Sequence, residues 1–411
     1  MEHWPGRPGQ FADNKAGCFP PFILLKRIMR NWLLPEYIAD ILPATARQVE
    51  SAKAAMLEGF RVAGYELVLP PMVEYIDSLV SEEDASLGLK TFKLDDYLSG
   101  RQMGLRADIT PQVSRIDAHL LGERTGVTRL CYAGSVVHTR PDGATGSREP
   151  MQVGAELYGY AGIEADLEVI ELMLATLERA GVSGVRLDIG HMAIYRGLSA
   201  AAGLSSETSR ALFAKLQSKD VASIRELVRD VAEPYRSAFL ALPELYGPIA
   251  GLERARSCLP SLPEVELGLM QLSAVAKALE GRVALSFDLT ELRGTQYHNG
   301  LLFAAYAEGW AEELARGGRY DNAGRRFGRA RPATGFSLDL RDLIRILPEQ
   351  GSVRGIRLAA KHWPQARAEV VRLRAAGEMV VIDYLGESAQ ALNCDRELTP
   401  DGSGWQVVSF N

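Results

Sequence analysis

Two apolar segments separated by a loop rich in glycine and charged residues constrain the fold of this chain more than any other feature. RLCYAGSVVHT at 129–139 is followed by the loop RPDGATGSREP at 140–150 and then by MQVGAELYG at 151–159. Strand-forming runs that flank a turn-rich loop tend to pair as antiparallel neighbours. The sequence therefore predicts an antiparallel sheet that contains this pair.

Other strand-like segments follow the same hairpin-like arrangement, and helical patterns are segregated around them. Further strands are predicted at 65–71, as two short strands within 91–109, and at 184–190, 283–289 and 300–307. The first helix has a regular apolar stripe, an expected capping box at Thr45 and Gln48, and a stop at Gly64. A second helix is expected to be capped by Asp166. Such an order favours the α+β class, with an antiparallel sheet flanked by helices.

Changes in composition divide the chain into three expected parts. Residues 1–30 are predicted to form a poorly ordered N-terminal extension, because they are polar and rich in glycine and proline before a brief apolar run. Residues 31–345 are the expected core, with a helical insert at about 195–280. Residues 349–411 are expected to form a small C-terminal α/β domain, made of a strand–helix–strand unit and a final strand after a turn at Asp401-Gly402.

Charge, cysteines and hydropathy exclude several classes of protein. A net charge of −6 and a pI near 5.7 argue against a general nucleic-acid binder, which is usually basic. The four cysteines include no C-x-x-C pair, so no metal site is predicted and a reducing cytoplasm is expected. No run approaches 18 apolar residues, so no membrane partner is expected.

The returning strand carries the first candidate site. Gln152 and Glu156 are four residues apart, so they share one face of a strand, and together they could hold an amino group. Arginines in the preceding loop could bind an anion through bidentate hydrogen bonds from their guanidinium groups. The alternative is a polar sheet face that is open to water.

Two other segments carry candidate residues. In LRADITPQVSR, Asp108 and Thr110 alternate onto one face, although Thr110 could simply cap a helix that begins at Pro111. In ELRGTQYHNG, Arg293, Tyr297 and His298 lie close together, and His298 could titrate near neutrality or bind a small ligand. The alternative for His298 is a polar side chain satisfied within the fold.

Six arginines between 316 and 331 form the last candidate, either a patch for phosphate or a partner, or a solvated loop. The P-loop and the common hydrolase signatures are absent from the sequence. No catalytic residue, metal or cofactor is therefore assigned.

Several of these segments together resemble the class II aminoacyl-tRNA synthetase core of the histidyl type. The segments are DILP at 40–43, GYELVLPP at 64–71, the strands at 129–159, ELRGTQYH, and ARGGRYD followed by ATGFSLDL, over roughly residues 31–345. The resemblance implies a sheet of six or seven mostly antiparallel strands and a dimer formed through the first helix and strand. It also implies that Thr110, Gln152, Glu156, Arg293 and Tyr297 surround a bound histidine, with Asp108 and His298 as substituted positions.

Two departures from that family bear on activity. The resemblance places Val137 and Asp342 at positions where an active synthetase holds the ATP phosphates with arginine. Adenylate formation develops negative charge on phosphate, so each missing cation removes roughly 3–4 kcal/mol of stabilisation. The tail after 348 is also short for an anticodon-binding domain, and charging of tRNA is not expected.

With a histidine pocket inside a core that lacks the activating cations, this chain resembles the regulatory subunits of ATP phosphoribosyltransferase, a family related to histidyl-tRNA synthetase. The resemblance implies a non-catalytic chain in a hetero-oligomer with the short-form catalytic subunit. It also implies a role in the first step of histidine biosynthesis, with histidine as feedback effector. The alternatives are an active histidyl-tRNA synthetase, or a synthetase-like histidine-binding protein that regulates another process.

Overall fold

The predicted strand pair lies within a nine-stranded sheet, which is the largest element of the fold. The structure is a computed structural model, and it describes residues 33–80, 85–143, 146–290, 298–322, 324–348 and 354–410. The expected N-terminal extension at 1–30 lies outside the described residues.

Sixteen strands occur in the described residues, numbered β1 to β16 along the chain. They are Glu66–Leu67, Val73–Tyr75, Lys93–Asp95, Gln102–Leu105, Thr128–Ser135, Met151–Tyr158, Arg186–His191, Tyr246–Pro248, Ala284–Asp288, Leu301–Tyr306, Ala315–Arg319, Ala333–Asp339, Gly355–Ala359, Val380–Asp383, Cys394–Asp401 and Gly404–Ser409.

Thirteen α-helices occur in the same part of the chain, numbered α1 to α13. They are Pro43–Val62, Ile76–Leu79, Ala85–Lys90, Thr110–Arg115, Ile163–Arg179, Met192–Ala201, Ser206–Gln217, Val221–Leu227, Tyr235–Ala241, Leu252–Cys258, Pro263–Ala278, Leu340–Ile346 and Trp363–Ala375. A π-helical turn at Ile116–Leu120 continues α4.

The main sheet has the order β1-β5-β6-β12-β11-β10-β7-β9-β8. Its centre is antiparallel, whereas β1 with β5 and β7 with β9 are parallel pairs. The predicted fold class is confirmed, but the expectation of six or seven strands was too low. The additional strands lie towards the edges, where the two-residue β1 and the three-residue β8 are easily overlooked in a sequence.

Helices α1 and α5 cover one face of this sheet and bury the main apolar core. Met56 and Phe60 of α1, Val169 and Met173 of α5 and Phe336 of β12 are all nearly inaccessible to solvent. The periodic apolar stripe predicted for α1 is thus confirmed, and Gly64 follows the helix with a φ of +86°.

Both predicted helix caps were wrong. Helix α1 begins at Pro43, ahead of Thr45, and has no side-chain cap. Gln48 is buried and instead donates through Nε2 to the Pro348 carbonyl at 3.1 Å. Asp166 lies inside α5, where it pairs with Arg319 at 2.8 Å. A buried partner can thus use a polar side chain that local pattern alone would assign to a cap.

Six helices, α6 to α11, lie between β7 and β9 in a fully described stretch. They pack around apolar side chains such as Tyr195, Phe213 and Phe239. After residue 348 a separate four-stranded sheet has the order β14-β13-β15-β16, with α13 on one face. Strand β15 was not predicted, because its charged residues and Pro400 hide the strand pattern.

Candidate ligand-binding site

Glu156 lies at the bottom of a cleft over the centre of the main sheet. Its carboxylate accepts hydrogen bonds at 3.1 Å from the hydroxyls of Thr110 and Tyr132, and a further one from Tyr320. Only 1% of Glu156 is exposed. The prediction that β6 places Gln152 and Glu156 on one face is confirmed, whereas the alternative of a face open to water was wrong for Glu156.

Burial dominates the electrostatics of Glu156. It raises the pKa of the carboxyl to about 8, although the hydrogen bonds from the Tyr320, Thr110 and Tyr132 hydroxyls oppose the shift. The group is therefore largely a neutral acid near pH 7. In that form it can both donate and accept a hydrogen bond.

Gly335 provides the space that this carboxyl occupies. It pairs with Glu156 across β12 and β6. A Cβ added at Gly335 would overlap the Glu156 carboxylate and lie 2.5 Å from its Cδ. The position therefore requires glycine as long as a glutamate occupies position 156.

A second polar group lies beside Glu156. Asp108 Oδ1 accepts from the Thr110 amide at 3.0 Å and from Gln152 Nε2 at 2.8 Å. Gln152 Oε1 in turn accepts from the Ile109 amide at 2.9 Å. These bonds fix the start of α4 against β6, and they place two side-chain oxygens at the cleft wall.

Thr110 is not a helix cap. It is the first residue of α4, and its hydroxyl contacts Tyr132 and Glu156 rather than a backbone amide. The alternative that Thr110 serves only as a cap was therefore wrong.

His298 is another of the residues predicted from the sequence. It lines the same cleft, and its ring meets the Tyr320 ring edge-on, with 6.1 Å between the ring centres. Arg293 and Tyr297 lie outside the described residues.

The cleft continues outward from these residues for a total volume of about 570 Å³. Its outer half is acidic. The carboxyl side chains that line it are Asp142, Glu312, Glu313, Asp339 and Asp342. The two positions that depart from the synthetase pattern differ in their placement: Asp342 lines this half, whereas Val137 is not among the lining residues.

The loop between β5 and β6 does not direct its described arginines into the cleft. Arg148 donates through Nε to the His138 carbonyl at 3.1 Å, and its guanidinium lies 5.3 Å from the centre of the Phe92 ring. Arg140 is exposed and is not a lining residue. The predicted anion grip at this loop is thus not supported by the described side chains.

The arginine-rich stretch at 316–331 is neither a simple surface patch nor a solvated loop. Arg319 is buried against Asp166, and Arg331 is buried against Asp117 at 2.8 Å. Arg329 donates to the carbonyls of Gly122 and Arg124. Three of the six arginines thus stabilise the fold, which sequence spacing alone does not distinguish from a binding patch.

Within the described ranges, no cluster of three or more His, Cys, Asp or Glu side chains could hold a metal ion. None of the helices in the described part of the chain is long and apolar enough to span a bilayer.

Sequence reasoning missed three contributors to the site, Tyr132, Tyr320 and Gly335. Tyr132 lies on β5 and Tyr320 directly follows β11, so their hydroxyls meet at Glu156 only in the folded sheet. The Arg-Tyr-Asp sequence at 319–321 was noted as part of a motif, but nothing in it indicates that its tyrosine meets a buried acid.

Comparison with known proteins resolves the choice among families. The family model described as histidyl-tRNA synthetase matches residues 37–343, and that of the ATP phosphoribosyltransferase subunit HisZ C-terminal domain matches 353–408. The ATP phosphoribosyltransferase regulatory subunit of Chromobacterium violaceum is 79% identical over 93% of this chain and 100% of its own length. The chain belongs to the family of ATP phosphoribosyltransferase regulatory subunits. The family predicted from the sequence is thus confirmed.

Other relatives agree with this placement. The regulatory subunit of Laribacter hongkongensis is 65% identical and covers 90% of this chain and 96% of its own. Among solved structures, a regulatory subunit/histidyl-tRNA synthetase of Bacillus halodurans C is 28% identical, with a TM-score of 0.77 over 88% of this chain and 95% of its own. Histidyl-tRNA synthetase of Nostoc sp. PCC 7120 is 16% identical, with a TM-score of 0.73 over 90% and 91%, and shows the shared fold.

Membership in a regulatory family agrees with the acidic outer half of the cleft. A synthetase must stabilise phosphate charge, and Asp342 opposes that charge. The chain is a regulatory subunit in this family rather than the catalytic one.

Proposed function

We propose that this chain binds histidine in the cleft around Glu156 and, together with a short-form catalytic subunit, sets the rate of ATP phosphoribosyl transfer. The observation that carries the proposal is the buried Glu156 with its three hydroxyl partners. Neutral imidazole has one N–H donor and one acceptor nitrogen, and a neutral carboxyl among hydroxyls offers both partners.

The polar groups beside Glu156 support a ligand that carries an amine as well. Asp108 and Gln152 bring side-chain oxygens to the wall of the same cleft, and an ammonium group requires such acceptors. Arg293, Tyr297 and His298 remain proposed contacts by resemblance, and only His298 lies in the described part of the chain.

The proposed regulation follows from linkage. Histidine can inhibit the complex only if it binds the inactive assembly more tightly than the active one. A coupling of about 1–3 kcal/mol, typical of allosteric proteins, corresponds to roughly 5–150-fold in affinity. The family name indicates ATP phosphoribosyl transfer. Feedback of this size would suit that reaction as the first step of histidine biosynthesis, which is the role that the resemblance implies.

We also propose that two copies of the chain associate through α1 and β1. Val62, Leu67 and Leu69 are exposed by 58%, 50% and 78%, although they are apolar and adjacent. The two-residue β1 leaves an open sheet edge there, which favours coverage by another chain. The reducing cytoplasm is the proposed compartment, because Cys131 and Cys394 are buried thiols that have no disulfide partner in the described part of the chain.

A reconstituted assay tests the regulatory proposal. The condensation of ATP with phosphoribosyl pyrophosphate would be followed with a short-form catalytic subunit, with and without this chain, and then with histidine. We expect activation by the chain and inhibition by histidine. Glu156→Ala should weaken the inhibition at least tenfold, because alanine offers a ligand neither the hydrogen-bond donor nor the acceptor of the neutral carboxyl.

Glu253→Ala is a matched control on the exposed surface of α10, and it should retain full inhibition. Activation without any response to histidine would contradict the effector proposal alone. If the chain neither changes the rate nor co-elutes with the catalytic subunit, the proposed partnership is contradicted.

A further inference from the structure

The outer half of the cleft has a charge pattern that histidine binding around Glu156 does not explain. Two cations line the cleft within the described ranges, and both are already paired. Lys90 lies 2.6 Å from Asp142, and Arg316 lies 2.9 Å from Glu313. The lining cations therefore neutralise two carboxylates and leave the charge of the remaining acids in place.

The remaining acids are Glu312, Asp339 and Asp342. Asp342 contacts Arg345 at 3.3 Å, but that arginine is not among the residues that line the cleft. Burial, followed by repulsion from Asp342, raises the pKa of Asp339 to about 6. The proximity of the two aspartates thus gives this wall a negative potential.

His138 adds an independent feature to the same wall. Only 6% of His138 is exposed, and the residue lines the cleft. Its Nε2 lies 2.9 Å from the Ala107 carbonyl, which can only accept, so Nε2 carries the proton of the neutral ring. Its Nδ1 is then an acceptor, and it has no hydrogen-bond partner among the described residues. Asp142 Oδ2 lies 3.7 Å from it, outside hydrogen-bond distance.

These observations point to a ligand group that donates hydrogen bonds. We propose that the outer half of the cleft is a selectivity site, which rejects phosphoryl groups on an imidazole amine. This inference rests on the proposed function for the inner half, where Glu156 would hold the imidazole.

Phosphoryl groups should be rejected because a phosphate ester presents acceptor oxygens and about two negative charges to carboxylates and to an imidazole nitrogen, which are themselves acceptors. Carboxylates near a dianion in a partly buried cleft disfavour it by tenfold or more. A chain in the ATP phosphoribosyltransferase family works beside a nucleotide substrate. Rejection of phosphates would keep ATP from competing for the effector pocket.

The first test is a matched pair of ligands, histidinol and its phosphate ester, titrated into the full chain by calorimetry. We expect the ester to bind at least tenfold more weakly than the alcohol. In Glu312→Gln/Asp342→Asn the ratio should fall at least threefold. The control Glu226→Gln, on the exposed surface of α8, should leave the ratio unchanged.

The second test uses ATP without magnesium, so that it does not depend on histidine binding. ATP should bind the double variant at least threefold more tightly than the wild-type chain, and Asp342→Arg at least tenfold more tightly. If both variants bind ATP no better than wild type, or if the ester binds wild type as well as the alcohol does, the proposal is overturned. If histidine and histidinol both fail to bind while the variants gain ATP binding, the proposed function fails and the phosphate-rejecting wall stands.

Discussion

Replacing Glu156 with glutamine should change how the stability of this chain depends on pH. The folded-state pKa of Glu156 is about 8, against 4.5 for an ordinary glutamate, so the folded chain holds a proton that the unfolded chain releases. The wild-type free energy of unfolding therefore falls as pH rises from about 4.5 to 8 and is level above that range. Glutamine has no such proton, so this contribution disappears in Glu156→Gln.

The size of the effect follows from the shift. One unit of pKa corresponds to about 1.4 kcal/mol, so the contribution between pH 5 and pH 8 is about 4 kcal/mol. Glutamine also disturbs the hydrogen bonds from Thr110, Tyr132 and Tyr320, at about 1–2 kcal/mol, but this loss varies little with pH. The variant should thus be less stable than wild type near pH 5 and more stable near pH 8.

Urea unfolding of both proteins at intervals from pH 5 to pH 9, followed by circular dichroism, measures this difference directly. Other titrating groups are common to the two proteins and cancel in the comparison. If the difference in free energy of unfolding is the same at every pH, Glu156 is not a protonated buried acid and the reasoning is refuted.

Three further predictions concern single residues. Gly335→Ala should abolish histidine binding, measured by calorimetry, and lower the free energy of unfolding in urea by about 1–3 kcal/mol, because the new methyl displaces the buried carboxyl. The control Gly404→Ala should change neither quantity, because its Cβ would meet nothing closer than 3.7 Å. Asp166→Ala should lower the free energy of unfolding in urea by about 3–5 kcal/mol, because it leaves the Arg319 guanidinium buried without its carboxylate. A decrease below 1 kcal/mol would contradict this prediction. Tyr320→Phe removes a hydrogen bond that favours the ionised acid, so the pH at which histidine affinity changes should move upward, and an unchanged pH profile would contradict it.

Much of the site was predictable because strands alternate their side chains with a strict period of two. That period alone placed Gln152 and Glu156 on one face. The spacing of LRADIT likewise brought Asp108 and Thr110 to the strand–helix junction beside them. The resemblance to histidyl-type synthetases then indicated a common ligand for these residues.

The errors share one cause, which is competition from partners that are distant in sequence. Gln48 was interpreted as part of a capping box, but it contacts a carbonyl 300 residues away. Asp166 and the arginines at 319 and 331 were interpreted from their neighbours, yet each is used in a buried ion pair. Rules based on neighbouring residues do not include such contacts. A buried charged side chain requires a partner, so a distant partner decides its role in place of a helix cap exposed to water.

The sequence by itself determined the α+β class, the antiparallel pairing of β5 with β6, the family, and the absence of arginine at positions 137 and 342. These depend on periodicity and residue type, which are local properties of the chain. Only the tertiary structure decided that Thr110, Tyr132 and Tyr320 enclose one carboxyl, that Gly335 leaves room for it, and that the cations of the outer cleft are already paired. Those features depend on burial and on distances between strands, and neither quantity exists until the sheet has formed.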